Sequence, residues 1–292
     1  MAEGLAAVRA RIHGVQQLDA VIGAMRVIAA AHAQQSRALL PGFRTYAEAI
    51  AKAIASALRV RNQAPVPQRR VRRCARVVFC AEQGFVGGFV ERMLSEVVKR
   101  PPAELLLIGS RALLLANTTN VTPVWDSPMV TQVDGINGLC IRIASALYDI
   151  ITARNITDVE VMFPLWATGK GVRVMWQSLL PLDEKRFRTA HDGVPPLSTL
   201  LPDELLASLA EEYVYASLCE AAMHAFVAEN EARESAMVRA HSKLQDILAE
   251  LKLSGHQVRQ DTITAEVIEL VSGVVAEASN GQRSQQCCKP SV

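Results

Sequence analysis

The sequence predicts an α/β chain in which two long terminal helices bracket a small α/β middle with a largely parallel sheet, and three observations lead there. The run from Glu229 to Gly273 keeps helical apolar spacing throughout and contains no proline. At ~1.5 Å per residue such a helix spans roughly 65 Å, more than a domain of this size buries, so it needs a partner outside that domain. The N-terminal stretch offers one, because Leu5, Val8, Ile12, Val15, Leu18, Ile22, Met25 and Ala29 recur at steps of three and four. Between these stretches the period changes to short apolar runs alternating with helical ones, the pattern of strand–helix–strand crossovers.

The first helix is expected over residues 1–58, with a kink or short break at Pro41-Gly42 before Tyr46, Ile50, Ile54 and Leu58 resume the stripe. Residues 59–73 read as a basic linker: Arg59, Arg61, Arg69, Arg70, Arg72 and Arg73 accompany Pro65 and Pro67, with no acidic residue. No aromatic is interleaved for base stacking, which favours a solvated loop over a nucleic-acid arm. The α/β domain is expected over 74–195. It starts with a strand at Val77–Cys80, the glycine turn Gly84 to Gly88 and a helix carrying Met93, Leu94, Val97 and Val98. A second strand at Leu105–Ile108 turns at Gly109-Ser110 into a short helix at Arg111–Leu115, and a longer helix covers Ile136–Ile151. Strands at Val159–Phe163 and Val172–Leu180, joined by Thr168-Gly169-Lys170-Gly171, form an antiparallel hairpin at the sheet edge. Pro195, Pro196 and Pro202 punctuate the return to helix over 196–278, with Ser198 or Asp203 as its cap. Its apolar positions run from Leu206 through Tyr213, Cys219, Phe226, Leu244, Ile247, Leu251 and Val258 to Ile263, Val267, Leu270 and Val274. Residues 279–292 are polar and are expected to be a disordered tail.

Composition narrows the function classes. At 292 residues, 50% hydrophobic and 21% charged, the chain can bury a sizeable core, and 5% aromatics with abundant alanine suit slim, closely packed helices. A net charge of +2 is too small to argue for nucleic acid or an anionic membrane as the main partner. The start, Met1-Ala2-Glu3-Gly4, lacks a secretory pattern, and no window reaches the ~18 uninterrupted apolar residues of a membrane span. The cysteines Cys74, Cys80, Cys140, Cys219, Cys287 and Cys288 include no CxxC pair and read as reduced thiols. The turn containing Gly84, Gly87 and Gly88 matches neither a P-loop nor GxGxxG, and is expected to be a structural turn with close helix approach. No histidine pair has zinc-hydrolase spacing, no GxSxG elbow occurs, and no metal, cofactor or catalytic set is expected. What stands out is polar residues threaded along the long helices. These are Arg26 and Gln34 near the N-terminus, and Arg233, Arg259, Gln260, Thr264, Glu266 and Glu269 near the C-terminus. They form either a solvated face or a partner-facing surface.

Those residues resemble the gamma subunit of the F-type ATP synthase, the rotating central shaft of its catalytic head. Ile12 and Val15, then Ala24-Met25 and Ile28-Ala29-Ala30, resemble its I-x-x-V opening and A-M-x-x-V-A-A segment. Gly84-Phe85-Val86-Gly87-Gly88 is similar to its G-L-C-G-G turn, and Ile108-Gly109-Ser110 to its I-G-S strand end. The C-terminus is the most specific part. Ala232-Arg233 with Ala236-Met237 resembles A-R-M-x-A-M, and Arg259-Gln260, Ile263-Thr264, Glu266 and Glu269 to Gly273 resemble R-Q-A-x-I-T-x-E-L-x-E-I-V-x-G, without a gap between the blocks.

The resemblance implies terminal helices wound as an antiparallel coiled coil and a small Rossmann-like α/β domain, in a noncatalytic subunit. Its implied partners are the alpha and beta subunits of the catalytic head, the epsilon subunit and the membrane c-ring. It implies transmission of torque between ion flow, proton or sodium, and ATP synthesis or hydrolysis on neighbouring chains, at the cytoplasmic face of a bacterial inner membrane. Carried over, Arg259 and Gln260 meet a beta-subunit loop, Thr264 and Glu266 support coupling nearby, and Met25 lies on the facing helix. Arg26, Arg233 and Glu269 complete the expected partner surface. Several positions depart from the family pattern. A lysine-isoleucine pair is Ala20-Val21 here, the turn cysteine is Val86, and Ser254-Gly255 occupies a place where the family keeps larger residues in a continuous helix, which suggests local flexibility. Two other classes fit the residues less well: a small-molecule enzyme built on the α/β middle, and a generic coiled-coil scaffold.

Overall fold

The first helix, α1 (Ala2–Val60), runs unbroken through Pro41. A proline inside a helix removes one backbone hydrogen bond and costs about 3 kcal/mol, so packing must offset it. Leu40 and Phe43, on either side, both pack against the main core. Of the kink or short break expected at Pro41-Gly42, the break is absent. The computed structural model describes the backbone of residues 2–60, 72–119, 121–167, 169–182, 187 and 199–286, and side chains from residue 4 to residue 274 except residue 60. Most of the expected basic linker, residues 61–71, lies outside the described residues.

Strand β1 (Cys74–Phe79) leads through the glycine turn to α2 (Phe89–Val98). Then come β2 (Glu104–Ile108), α3 (Ser110–Ala116), the short β3 (Trp125–Ser127), a single 3-10 turn and α4 (Ile136–Arg154). The hairpin β4 (Asp158–Ala167) and β5 (Gly171–Leu180) follows, and the chain ends in α5 (Pro202–Gln286). Proline at the first position of α5 costs nothing, because that N–H has no partner within a helix. Helix continues through Gln286, past the boundary expected at residue 278, while residues 287–292 with Cys287 and Cys288 lie outside the described residues.

The chain divides into two compact units, Met25–Met237 and the pair Met1–Ala24 with Val238–Val292, and both long helices contribute to each. In the larger unit a five-stranded sheet has the order β3-β2-β1-β4-β5. β1 pairs in parallel with both β2 and β4, β3 is parallel to β2, and β5 is antiparallel to β4. The α/β fold with a largely parallel sheet is thus present, with β3 an edge strand that its short, polar sequence does not reveal.

Strand alternation divides the sheet's contacts between two cores. On one face Val77, Phe79, Leu106, Ile108 and Val161 meet Ile136, Leu139, Ile143 and Leu147 of α4 and Val214, Leu218, Ala222 and Phe226 of α5. On the other, Val78, Leu105, Leu107 and Met162 meet Phe89, Val90, Met93, Leu94 and Val97 of α2, Ala112 and Ala116 of α3, and Ala228 and Ala232 of α5. The stretch Val133–Arg154 is long and apolar enough to cross a bilayer by composition alone, at 22 residues and a mean hydropathy of 1.3. Its apolar side lies on the sheet, with Ile136, Leu139, Cys140, Ile143 and Leu147 fully enclosed, so it is a core helix. Across β1 and β4, Arg76 and Glu160 stand directly opposite and pair at 3.1 Å, and Arg100 bonds the same carboxylate while stacking 3.9 Å from the centre of the Trp176 ring.

In the smaller unit the two long helices pack antiparallel. A Cβ on Gly4 would lie 3.9 Å from Val258, one on Gly255 would lie 3.4 Å from Val8, and Asp19 reaches His241 and Gln245. As α1 advances, its partner on α5 recedes. Leu5, Val8, Ile12 and Val15 face the seam, but Leu18 is exposed and Asp19 takes its place. Alternating steps of three and four from Leu5 land on residue 19, and the polar occupant is tolerated because His241 Nδ1 donates to Asp19 Oδ1 at 2.5 Å and Gln245 Nε2 to Oδ2 at 2.8 Å. Ser254-Gly255 does not interrupt α5. Gly255 sits on the seam, where a Cβ would make an ordinary contact with Val8.

Candidate functional site

The glycine turn after β1 is built from beneath by α5. Glu229 and Arg233 stand one helical turn apart in an alanine-rich stretch that faces the sheet, and both are buried. The Glu229 carboxylate accepts from the backbone N–H groups of Glu82 and Gln83, each at 3.1 Å, and from Arg233 Nη2 at 2.5 Å. Arg233 also bonds Asn230 Oδ1 at 3.3 Å and approaches the Gly84 carbonyl at 3.5 Å. The Glu82 carboxylate in turn accepts from Ser110 N and Oγ and from Met129 N, at 2.9, 2.8 and 2.7 Å. Burial pushes the Glu229 carboxyl above the ordinary carboxylate range, and Arg233 with the two amides draws it part of the way back.

Within the turn, left-handed backbone occurs at Gly87 (φ 64°) and, unusually, at Phe85 (φ 62°), whose ring is 68% exposed. Gly84 and Gly88 have open space where a side chain would stand. Close approach occurs instead at Gly109, where φ is 118° and a Cβ would lie 2.6 Å from the Ala81 carbonyl oxygen. The expected tight approach thus belongs to the Ile108-Gly109-Ser110 segment. A cleft of about 280 Å³ opens beside this network, lined by Met25, His32, Gln83, Gln132, Phe226 and Arg233 among others.

The remaining expected site residues divide between the two units. In the larger, Met25 is half-buried at the cleft and Arg26 is exposed. In the smaller, Arg259, Gln260, Thr264, Glu266 and Glu269 are all exposed on α5, where Thr264 Oγ1 donates to the Gln260 carbonyl at 2.9 Å. Among them stand large apolar side chains: Ile263, Val267, Ile268, Leu270, Val271 and Val274 are between 51% and 71% exposed. Sequence periodicity placed four of these on the seam, but the α1 pairing does not cover them. Large apolar side chains are thus left exposed along this part of α5. Arg233 differs from the rest, since its guanidinium is engaged inside the chain. The Glu82–Glu229 network escaped the sequence reading, and its signal was a Glu–Arg pair at i, i+4 within an otherwise buried alanine run.

Comparison with known proteins fits this arrangement. The family model described as ATP synthase matches residues 4–276. The ATP synthase gamma chain of Symbiobacterium thermophilum is 24% identical over 287 residues, covering 94% of this chain and 99% of the relative. That of Brevibacillus brevis is 25% identical over 299 residues, covering 95% and 100%. Among solved structures, a chain of the Euglena gracilis mitochondrial ATP synthase in an assembly of OSCP, F1 and c-ring superposes with a TM-score of 0.66 at 13% identity, covering 96% of this chain and 97% of its own. A chain from the central stalk and c-ring of the Tetrahymena thermophila enzyme gives 0.54 at 17% identity, covering 75% and 99%. Matched by the family model over nearly its whole length and sharing this two-helix and α/β architecture, the chain belongs to the ATP synthase gamma-chain family.

Proposed function

We propose that this chain is the noncatalytic central shaft of an F-type ATP synthase, coupling transmembrane ion flow to ATP synthesis or hydrolysis by turning inside the ring of alpha and beta subunits. The observation that carries the reading is the largely exposed run Arg259 to Val274 on α5, where large apolar side chains are interspersed with polar ones. A shaft requires that combination. Apolar surface has no directional bonds to break on rotation, while sparse polar contacts break and reform at defined angles. An asymmetric shaft that touches each beta subunit differently favours a different conformation, and so a different nucleotide affinity, in each.

On this reading Arg259 and Gln260 meet a beta-subunit loop, Thr264, Glu266 and Glu269 flank it, and Met25 and Arg26 contribute from α1. Arg233 acts from beneath by holding the glycine turn. The α/β domain meets epsilon and the c-ring, and the chain is held at the cytoplasmic face of a bacterial inner membrane through the complex alone. The test is reconstitution with alpha and beta subunits. The native chain should co-purify with them, and Arg259→Ala combined with Gln260→Ala should lower rotation-coupled ATPase activity at least tenfold, about 1.4 kcal/mol of coupling. A chain that ignores both subunits defeats the proposal. Unchanged coupled activity in the double variant would reduce the chain to a passive scaffold.

A further inference from the structure

A cleft of about 370 Å³ in the larger unit is lined from α1, α5 and β5. Tyr46 hydrogen-bonds Glu212 and Ile54 packs in one cluster with Leu206, so the two helices pass the cleft antiparallel. Arg44, Ser217 and Glu220 therefore stand toward one end of it, and Lys52 stands ~12 Å further along α1 at the other. Ser217 is the unusual member. A serine inside a helix commonly donates to the carbonyl four residues back, as Ser36 does to His32 at 2.7 Å and Ser56 to Lys52 at 3.1 Å. The Ser217 hydroxyl, on a residue only 2% exposed, has no hydrogen-bond partner among the described residues. A buried hydroxyl left unpaired is costly, and this one belongs to the cleft wall.

The charges around the cleft differ in how they are engaged. Arg44 pairs with Glu48 at 3.1 Å, and Glu220 has partners within the chain. Lys52 is exposed and, among the described residues, makes no ion pair. Between the two ends the wall is apolar. Ala47 and Ala51 contribute only methyl groups, and Tyr213 presents a ring held edge-on by Phe187, with centroids 5.3 Å apart and planes at 86°. A volume of this size, mostly apolar with a few polar groups at its ends, suits a small organic molecule.

We propose that this cleft is a binding site for a small aromatic acid that carries a hydroxyl opposite its carboxylate. The carboxylate meets the Lys52 ammonium, the ring lies between the alanine methyls and Tyr213, and the ring hydroxyl pairs with the Ser217 hydroxyl. An anion is selected because Lys52 is the charge left without an opposite one, and the hydroxyl because Ser217 is the buried group left without a hydrogen bond. Bound there, the molecule ties α1 to α5 within the larger unit.

The experiment titrates the full-length native chain with para-hydroxybenzoate, benzoate and phenol, read by calorimetry and by saturation-transfer NMR. The expected result is binding of para-hydroxybenzoate in the millimolar range or tighter, and binding at least about tenfold weaker for each of the other two, which lack one of its polar groups. Lys52→Gln should remove the advantage over phenol. Ser217→Ala should remove the advantage over benzoate and, by deleting an unpaired hydroxyl, raise the Tm of the unliganded chain. No binding of para-hydroxybenzoate across the millimolar range would overturn the proposal, as would equal binding of all three molecules or an unaltered affinity in Lys52→Gln. Lys52 is exposed, so that variant keeps the fold, and the titration of the native chain decides the matter without any variant.

Discussion

Glu229 brings a carboxylate into the buried, alanine-rich side of α5, and its two oxygens are taken up by two backbone N–H groups and one guanidinium. Removing one member of a buried ion pair leaves the other charge uncompensated, which costs about 3–5 kcal/mol. Glu229→Ala should therefore lower the stability of the isolated chain by that amount in urea denaturation, and an unchanged midpoint would show that the network is slack. His224 makes a subtler prediction. It lies 3.9 Å from Glu220 and stacks on Phe163, and a charged pair with Glu220 would raise its pKa. The imidazole is instead held below its ordinary value of 6.5, first by burial and then by Arg44, and those two effects outweigh a distant, partly solvated carboxylate. With a folded pKa below the unfolded one, the folded chain binds fewer protons just under pH 6.5, so its stability is full above that pH and falls as pH drops through it. His224→Leu should flatten the fall in urea midpoint between about pH 7 and 5 relative to the native chain. An identical slope in both would remove His224 from the account.

At the scale of elements, two glycines make opposite predictions. Gly255 is an ordinary helical residue on the coiled-coil seam, and a Cβ there would meet Val8 at 3.4 Å, an ordinary contact with a half-buried side chain that can turn aside. Gly255→Ala should leave α5 intact and raise thermal stability by up to about 1 kcal/mol, the difference in helix propensity. Gly109 leaves β2 with φ 118°, and a Cβ would press on the carbonyls of Ala81 and Cys80 at 2.6 and 2.9 Å. Gly109→Ala should cost about 3 kcal/mol or more, from strained backbone and steric conflict together. Differential scanning of the two variants should separate them in sign, and a shared sign would contradict this reading of the backbone. The helices were legible because a stripe repeating over many turns outweighs one unfavourable residue, which is why α1 passes Pro41 and α5 passes Gly255. The seam was not fully legible. Periodicity favoured apolar Leu18, whereas the wound pair selects residue 19 and supplies its carboxylate with donors from α5.

On the scale of the whole molecule, large apolar side chains near the C-terminal end of α5 are exposed, and on the proposed reading they meet the alpha and beta subunits. Leu270, at 71% exposure, and Val267, at 53%, contribute little to the isolated chain. Leu270→Ser with Val267→Ser should change its stability by less than about 0.5 kcal/mol while weakening association with the alpha and beta subunits in pull-down. Lost stability with unchanged association would mean the face is internal. Sequence alone determined the class of the fold, the positions of the long helices and the family resemblance, because hydrophobic period and motif register are local properties of the chain. Tertiary structure alone decided which polar residues turn inward. Arg233 and Arg259 look alike as cations on one helix, yet the first is enclosed beneath the sheet and paired with Glu229 while the second stands in solvent. That distinction depends on which stretch of α5 the sheet covers, and contacts between residues 82 and 229 exist only once strand and helix have packed.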